Sequence, residues 1–158
     1  MLELLPALPE ADRQAKGAAW LARHAGLDEA AREEALSAAL RVIGDPDFAP
    51  VFGEGSRAEV PVAGTLPSGI AVSGAIDRLV VTESDILIVD YKTNRPPPAS
   101  IADADPAYIA QMAAYRAVLQ AVFPGRAVRC ALLWTDTPAL MEVPAALLDR
   151  ALAKIVNA

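Results

Sequence analysis

The chain has 158 residues, enough for one domain with a real core. Apolar residues make up 54% of it, yet no run approaches the roughly 18 apolar residues that cross a bilayer, so no membrane span is expected. The single cysteine, Cys130, excludes an internal disulfide and an all-cysteine metal cluster, and it points to the cytoplasm. No basic region precedes an apolar one at the N-terminus, so no signal peptide is expected. The net charge of −6 argues against a free-standing nucleic-acid binder, which carries a basic surface. Residues 1–50 hold nine acids against five bases, and the remaining 108 hold eleven against nine. The downstream part is therefore close to neutral, and nearer still if a cation sits between two of its acids.

Met1–Pro9 is a short apolar run cut by Pro6 and Pro9, and it reads as the tail of a helix. Glu10–His24 has helical spacing, with Gly26 as its stop. Asp28 caps a second helix through about Val42, ended by Gly44. His24, the only histidine, sits at a helix end where imidazole suits the C-terminal dipole, and it reads as a surface or capping residue. Asp45–Gly55 is a loop with Phe48 and Phe52 as anchors. Ser56–Gly64 reads as a first strand, and Pro61 assigns it to a sheet edge or a strand end. Glu59 on that strand is read as solvent-facing, although a glutamate there could reach a metal. Thr65–Gly69 turns the chain with Pro67 and Gly69.

Val72–Val81 and Asp85–Lys92 are two strands rich in Val, Ile and Leu, joined by the polar break Thr82–Asp85. Side chains alternate along a strand, so Ile86, Ile88, Asp90 and Lys92 share one face. A turn of two or of four residues sets Asp77 directly opposite Asp90, with Cβ atoms roughly 4.5–5.5 Å apart. Like charges so placed repel, unless a divalent cation lies between them. Carboxylate oxygens suit Mg²⁺ or Mn²⁺. Lys92 adds a positive charge on the same face, and the set is equipped to attack a phosphodiester.

Thr93–Ser100, with three prolines, cannot continue as a central strand and reads as a stiff extended loop. Arg95 within it is either a phosphate contact or a solvated arginine. Asp105 or Asp103 caps a helix over Pro106–Val122, whose apolar side is Tyr108, Met112, Tyr115, Leu119 and Val122. Gln111 lies within that stripe, and an inward amide needs a partner. Arg116 faces away, toward the surface. Ala127–Thr135 is a buried strand containing Trp134 as a core residue, Ala139–Val143 a short strand, and Pro144–Val156 a final helix. No glycine-rich phosphate loop, nucleophile elbow or Cys/His zinc pattern occurs.

Asp77 in GAIDR, followed by Asp90-Tyr91-Lys92 in IVDYKT, resembles the D…(D/E)xK core of the PD-(D/E)XK nuclease superfamily. Gln111-Met-Ala-Ala-Tyr115 resembles the QxxxY motif of its RecB-like branch. The wording around these motifs is similar to the C-terminal nuclease domain of AddA-type helicase–nuclease subunits, which process double-strand DNA breaks for recombination. The resemblance implies Asp77, Asp90 and Lys92 as catalytic residues. It implies Asp77, Asp90 and the Tyr91 backbone carbonyl as ligands of Mg²⁺, with Mn²⁺ a substitute. Gln111, Tyr115, Thr93 and Arg95 would support the site and the DNA. The implied partners are DNA, a helicase part of the same parent chain and a second, AddB-like subunit, with no membrane. RecB-like nucleases also carry a metal-associated histidine upstream of the sheet. That position would fall just before Met1, so the chain is expected to be an excised C-terminal domain.

The element order gives an α/β fold, a central mixed sheet flanked by helices with a restriction-endonuclease-like core, and the long helix after Lys92 supplies the crossover that parallel pairing requires. One nuclease domain is expected over 1–158, with a helical part at 1–55 and a sheet core at 56–158. Two rival readings stay open: a scaffold that only holds DNA or a partner, and a self-contained endonuclease of the same superfamily.

Overall fold

A computed structural model describes residues 1–23 and 26–157. The reading of His24 therefore lies outside the described residues. The chain forms two compact units, Met1–Gly53 and Glu54–Ala158.

The first unit is helical. A 3₁₀ turn at Leu5–Ala7 precedes α1, Glu10–Leu21, and α2, Glu29–Gly44. Asp28 caps α2 by accepting a hydrogen bond from the Ala31 N–H at 2.8 Å, satisfying one of the orphan donors of the first turn. Leu5, Leu21, Leu36, Val42 and Val51 are buried in this unit. The expected loop at Asp45–Gly55 is instead a 3₁₀ turn at Pro46–Phe48 running into a short helix, α3, Ala49–Phe52. Asp45 starts it, its carboxylate accepting from the Asp47 N–H at 2.9 Å. Phe48 is buried as expected, but Phe52 is only half-buried and Val51 is the second anchor.

The second unit carries the sheet. Its strands are β1 (Ser56–Thr65), β2 (Ala71–Val81), β3 (Asp85–Lys92), β4 (Ala127–Trp134) and β5 (Ala139–Glu142), lying side by side in chain order. All neighbours pair antiparallel except β3 and β4, which are parallel. The crossover between those two is α4, Pro106–Val122, and α5, Ala145–Val156, packs beside it. The fold is thus the α/β mixed sheet expected from the element order. Pro61 sits on β1, an outer strand of the sheet, where a missing N–H donor is tolerated. The turn after β2 is the two-residue form, because the Thr82 N–H bonds to the Asp85 carbonyl at 3.0 Å. Asp105 is the cap of α4, accepting from the Ala107 N–H at 2.8 Å.

The sheet face under α4 buries Ile76, Leu79, Ile86, Ile88, Cys130 and Leu132 with Met112, Tyr115 and Leu119 of the helix. Two glycines let the helix approach closely. A Cβ at Gly64 would lie 2.9 Å from Val118 Cγ1, and one at Gly74 would clash with the Tyr115 hydroxyl. Two expectations for α4 fail. Val122, at the end of the helix, is 58% exposed and lies beyond the packed stripe. Arg116 is not a free surface group. Its Nε donates to the Val128 carbonyl at 3.2 Å and its Nη1 to Asp149 Oδ1 at 2.6 Å, so it joins α4 to both β4 and α5. Burial pushes the Cys130 thiol up to about 12.

On β4, between β3 and β5, Arg129 joins three strands. It donates to Glu142 through Nε at 2.9 Å and Nη2 at 2.6 Å, and to Asp85 Oδ2 at 3.1 Å. The hydroxyl of Thr82 and then the Arg129 guanidinium hold the Asp85 carboxyl below the usual carboxylate range, and Arg129 does the same for Glu142. Groups with lowered folded-state pKa contribute stability above their unfolded pKa and lose it as pH falls through the folded value. Arg129→Met should therefore cost about 0.5–1 kcal/mol at pH 7, the scale of a partly exposed ion-pair network. Thermal melts of both proteins should converge as pH drops below about 4, where the acids protonate.

Candidate active site

The five strands do not stay paired along their whole length. β2 remains bonded to β1 down to Ala71, and β3 to β4 from Asp85 to Lys92. β2 and β3, however, pair only from Arg78–Val89 to Val81–Ile86. Beyond Arg78 the two strands part. Asp77 is the first residue past the fork, and Asp90, Tyr91 and Lys92 lie past it on the other branch.

The same place breaks the alternation of faces. Ile76 and Leu79 both belong to the cluster under α4, although residues three apart on a regular strand point to opposite faces. Across the ladder, the β1–β2 register is continuous but for one missing pair, Glu59 with Asp77. Glu59 has φ +51°, a left-handed conformation uncommon for a residue with a side chain. Both strands change face together at that pair, as at a bulge, without gaining a residue. Glu59 itself is exposed.

Asp77 does not simply face Asp90 in a closed ladder, as the hairpin arithmetic expected. The register of the paired part does run toward Asp77–Asp90, but the ladder ends one pair short. Asp77 Oδ2 instead accepts the Tyr91 backbone N–H at 2.7 Å, so the carboxylate occupies the place of a lost strand–strand bond. Asp90 is buried, with 5% exposure. Its Oδ2 lies 2.5 Å from Lys92 Nζ, but out of line for a hydrogen bond, so this buried oxygen has a charge partner and no aligned donor. The Lys92 ammonium also lies 3.7 Å from the centre of the Tyr108 ring. The structure thus brings Asp77, Asp90 and Lys92 to one fork between two strands.

These groups fit a hard divalent cation. Both carboxylates offer oxygen, one belongs to a buried side chain with an under-donated oxygen, and the Tyr91 carbonyl lies on the same branch. No group of three or more His, Cys, Asp or Glu side chains that could hold a metal occurs among the described residues. A two-carboxylate set is what Mg²⁺ accepts, since it keeps several waters and binds substrate oxygens as well.

Gln111 and Tyr115 lie one helical turn apart on α4, and Gln111 Nε2 donates to the Tyr115 hydroxyl at 3.4 Å. Tyr115 is buried over Gly74, so its ring braces the branch of β2 that leads into Asp77. Thr93 is exposed just past Lys92. Arg95 is tied down, its Nε 2.8 Å from Asp136 Oδ1 in the turn after β4. Trp134 is core, 1% exposed.

Three residues at the site were not assigned to it from the sequence. Arg78 is 4% exposed and donates from Nε to the Tyr91 hydroxyl at 3.1 Å and from Nη1 to Ser56 Oγ at 3.3 Å. It stiffens β3 from the face opposite Asp90. An arginine inside an apolar strand was the readable signal, because a buried charge must be partnered. Tyr108 and its partner Asn94, whose Oδ1 accepts the phenol at 3.1 Å, had no such signal.

A model of the PD-(D/E)XK nuclease superfamily matches residues 2–155. The chain belongs to that superfamily. Members of the PD-(D/E)XK superfamily are generally nucleases that act on DNA with divalent metal ions, and the mixed α/β sheet agrees with the superfamily's restriction-endonuclease-like core. No curated protein matches the chain. Among solved structures, one titled "Crystal structure of SSO0001" is similar at 13% identity and a TM-score of 0.41, over 93% of this chain and 84% of that one.

Gly74→Ala tests the brace above the fork. The added methyl meets a buried ring, so the variant should lose about 1–3 kcal/mol of stability in urea denaturation. Adding Tyr115→Phe should return part of that loss, since the hydroxyl is the nearest atom to the new methyl.

Proposed function

We propose that this PD-(D/E)XK chain is a divalent-metal-dependent deoxyribonuclease domain that hydrolyses phosphodiesters at the strand fork. The observation that carries the reading is the convergence of Asp77, Asp90 and Lys92 where β2 leaves β3. Asp77 and Asp90 would hold Mg²⁺, with Mn²⁺ a substitute, and the Tyr91 backbone carbonyl would add a third oxygen. A bound divalent ion lowers the pKa of water and offsets charge on the attacked phosphate. Asp77 is oriented for this by the Tyr91 N–H, and Asp90 is shielded from water by burial. Lys92 places a positive charge beside Asp90, where negative charge develops on the phosphate oxygens, or it orients the attacking water. Gln111 and Tyr115 hold the β2 branch, and Thr93 and Arg95 line the loop that leaves the site.

The finer reading is the exonuclease part of an AddA-type helicase–nuclease acting in the cytoplasm in double-strand break repair and recombination. The wording of GAIDR, DYKT and QxxxY supports it. The parent chain would supply the helicase motor that delivers a DNA strand, and an AddB-like subunit would complete the assembly. A self-contained endonuclease of the superfamily suits the complete Asp77–Asp90–Lys92 set equally. Closed circular DNA separates the two, since only an endonuclease opens it.

Asp77→Asn keeps an acceptor for the Tyr91 N–H while removing the charge, so it should fold and melt like the wild type. Asp77→Asn, Asp90→Asn and Lys92→Ala should each lower Mg²⁺-dependent cleavage of linear DNA about 10²–10³-fold, and chelation should abolish it. Calorimetry should show Mn²⁺ binding that Asp90→Asn loses. Cleavage surviving in these variants would remove the residues from the mechanism, and absent metal binding would leave a scaffold.

A further inference from the structure

Of the three lysines in the chain, Lys16 and Lys154 are exposed, whereas the Lys92 side chain is only 12% exposed. Its ammonium meets two different partners, the Asp90 carboxylate and the face of Tyr108, 3.7 Å from the ring centre. A cation over an aromatic face is drawn to the negative face of the ring, and more strongly where both are shielded from water. The ring is itself fastened, because the Tyr108 hydroxyl donates to Asn94, two residues beyond Lys92. Tyr108 stands on the first turn of α4, which is capped by Asp105, so a rigid element presents the ring.

Asp90 cannot be the sole holder of Lys92 in the reaction proposed above, since its carboxylate is then shared with a cation that repels the ammonium. We propose that Tyr108 is the positioning residue of Lys92, its ring face keeping the ammonium at the strand fork when Asp90 turns to the metal. This rests on the role given to Lys92 under the proposed function. The ring needs no charge of its own, so the hold survives a change in charge at the neighbouring carboxylate.

The contact is readable in the metal-free protein. In a ¹H–¹³C correlation of the lysine side chains, the Lys92 ε-methylene should be displaced upfield by the ring current, with Lys16 and Lys154 as internal references. Tyr108→Leu should abolish the displacement and lower kcat about tenfold with KM for DNA nearly unchanged. Tyr108→Phe keeps the ring face but loses the Asn94 bond, so it should restore most of both and fall short of the wild type by as much as Asn94→Ala does. Should the leucine variant not fold, Asn94→Ala loosens the ring without removing it and should reduce the displacement. The proposal is overturned if the displacement is absent from the wild type, persists in Tyr108→Leu, or disappears with kcat unaffected. Lys92→Ala separates the two levels. Cleavage retained there, with the displacement present in the wild type, overturns the role of the lysine but not the ring contact. Cleavage lost there, with no displacement in the wild type, overturns Tyr108 alone.

Discussion

Two negative side chains on neighbouring strands are tolerable only if each has its own partner, and the parting of β2 from β3 makes that possible. Had the ladder run on, Asp77 and Asp90 would have met across a closed pair, with their repulsion undiluted. Because the strands separate after Arg78, Asp77 turns to the freed Tyr91 N–H, and Asp90 is left to Lys92. The fork therefore gives each acid a separate partner. Sheet pairing and the partnering of the acids are settled by one local event, the simultaneous change of face at Glu59 and Asp77.

The helix α4 is the wall that makes the fork durable. Gly64 and Gly74 remove the side chains that would hold it off the sheet, and Tyr115 fills the space above Gly74. Arg116 then pins the middle of the helix to β4 and α5. The cost of burying a guanidinium is offset by two well-placed acceptors. With its cap at Asp105 and its pin at Arg116, the helix has little freedom to slide. Residues on its inner stripe, Tyr108, Gln111 and Tyr115, inherit that rigidity.

Much of this was readable from the chain. The β2–β3 hairpin announced itself by a polar break between two β-branched runs, and α4 by Asp105-Pro106, so the boundaries of both agree with the structure to within a residue. The parity of Ile86, Ile88, Asp90 and Lys92 follows from alternation alone, and the first three are buried as one stripe. Failures came where one element meets two others. A helical wheel assigns Arg116 to the outside because it considers a single packing face, yet α5 supplies a second. Alternation cannot foresee the face change at Asp77, which depends on a positive φ at a glutamate in the partner strand. The contact between Lys92 and Tyr108 joins residues separated by a proline loop whose path no propensity encodes. The Asp45–Gly55 segment reads as a loop, yet Pro46 and Pro50 each stand in a first helical turn, the place proline suits.

The position of Cys130 has a practical consequence. It lies at 0% exposure on β4, its Sγ 3.6 Å from the Met112 carbonyl, so as a thiol it is chemically silent in the folded protein. A cysteine introduced on the exposed loop after Lys92 would then be the one nucleophilic sulfur in reach of a fluorophore or spin label. The surroundings and motion of that loop could be followed in solution with the native background left in place.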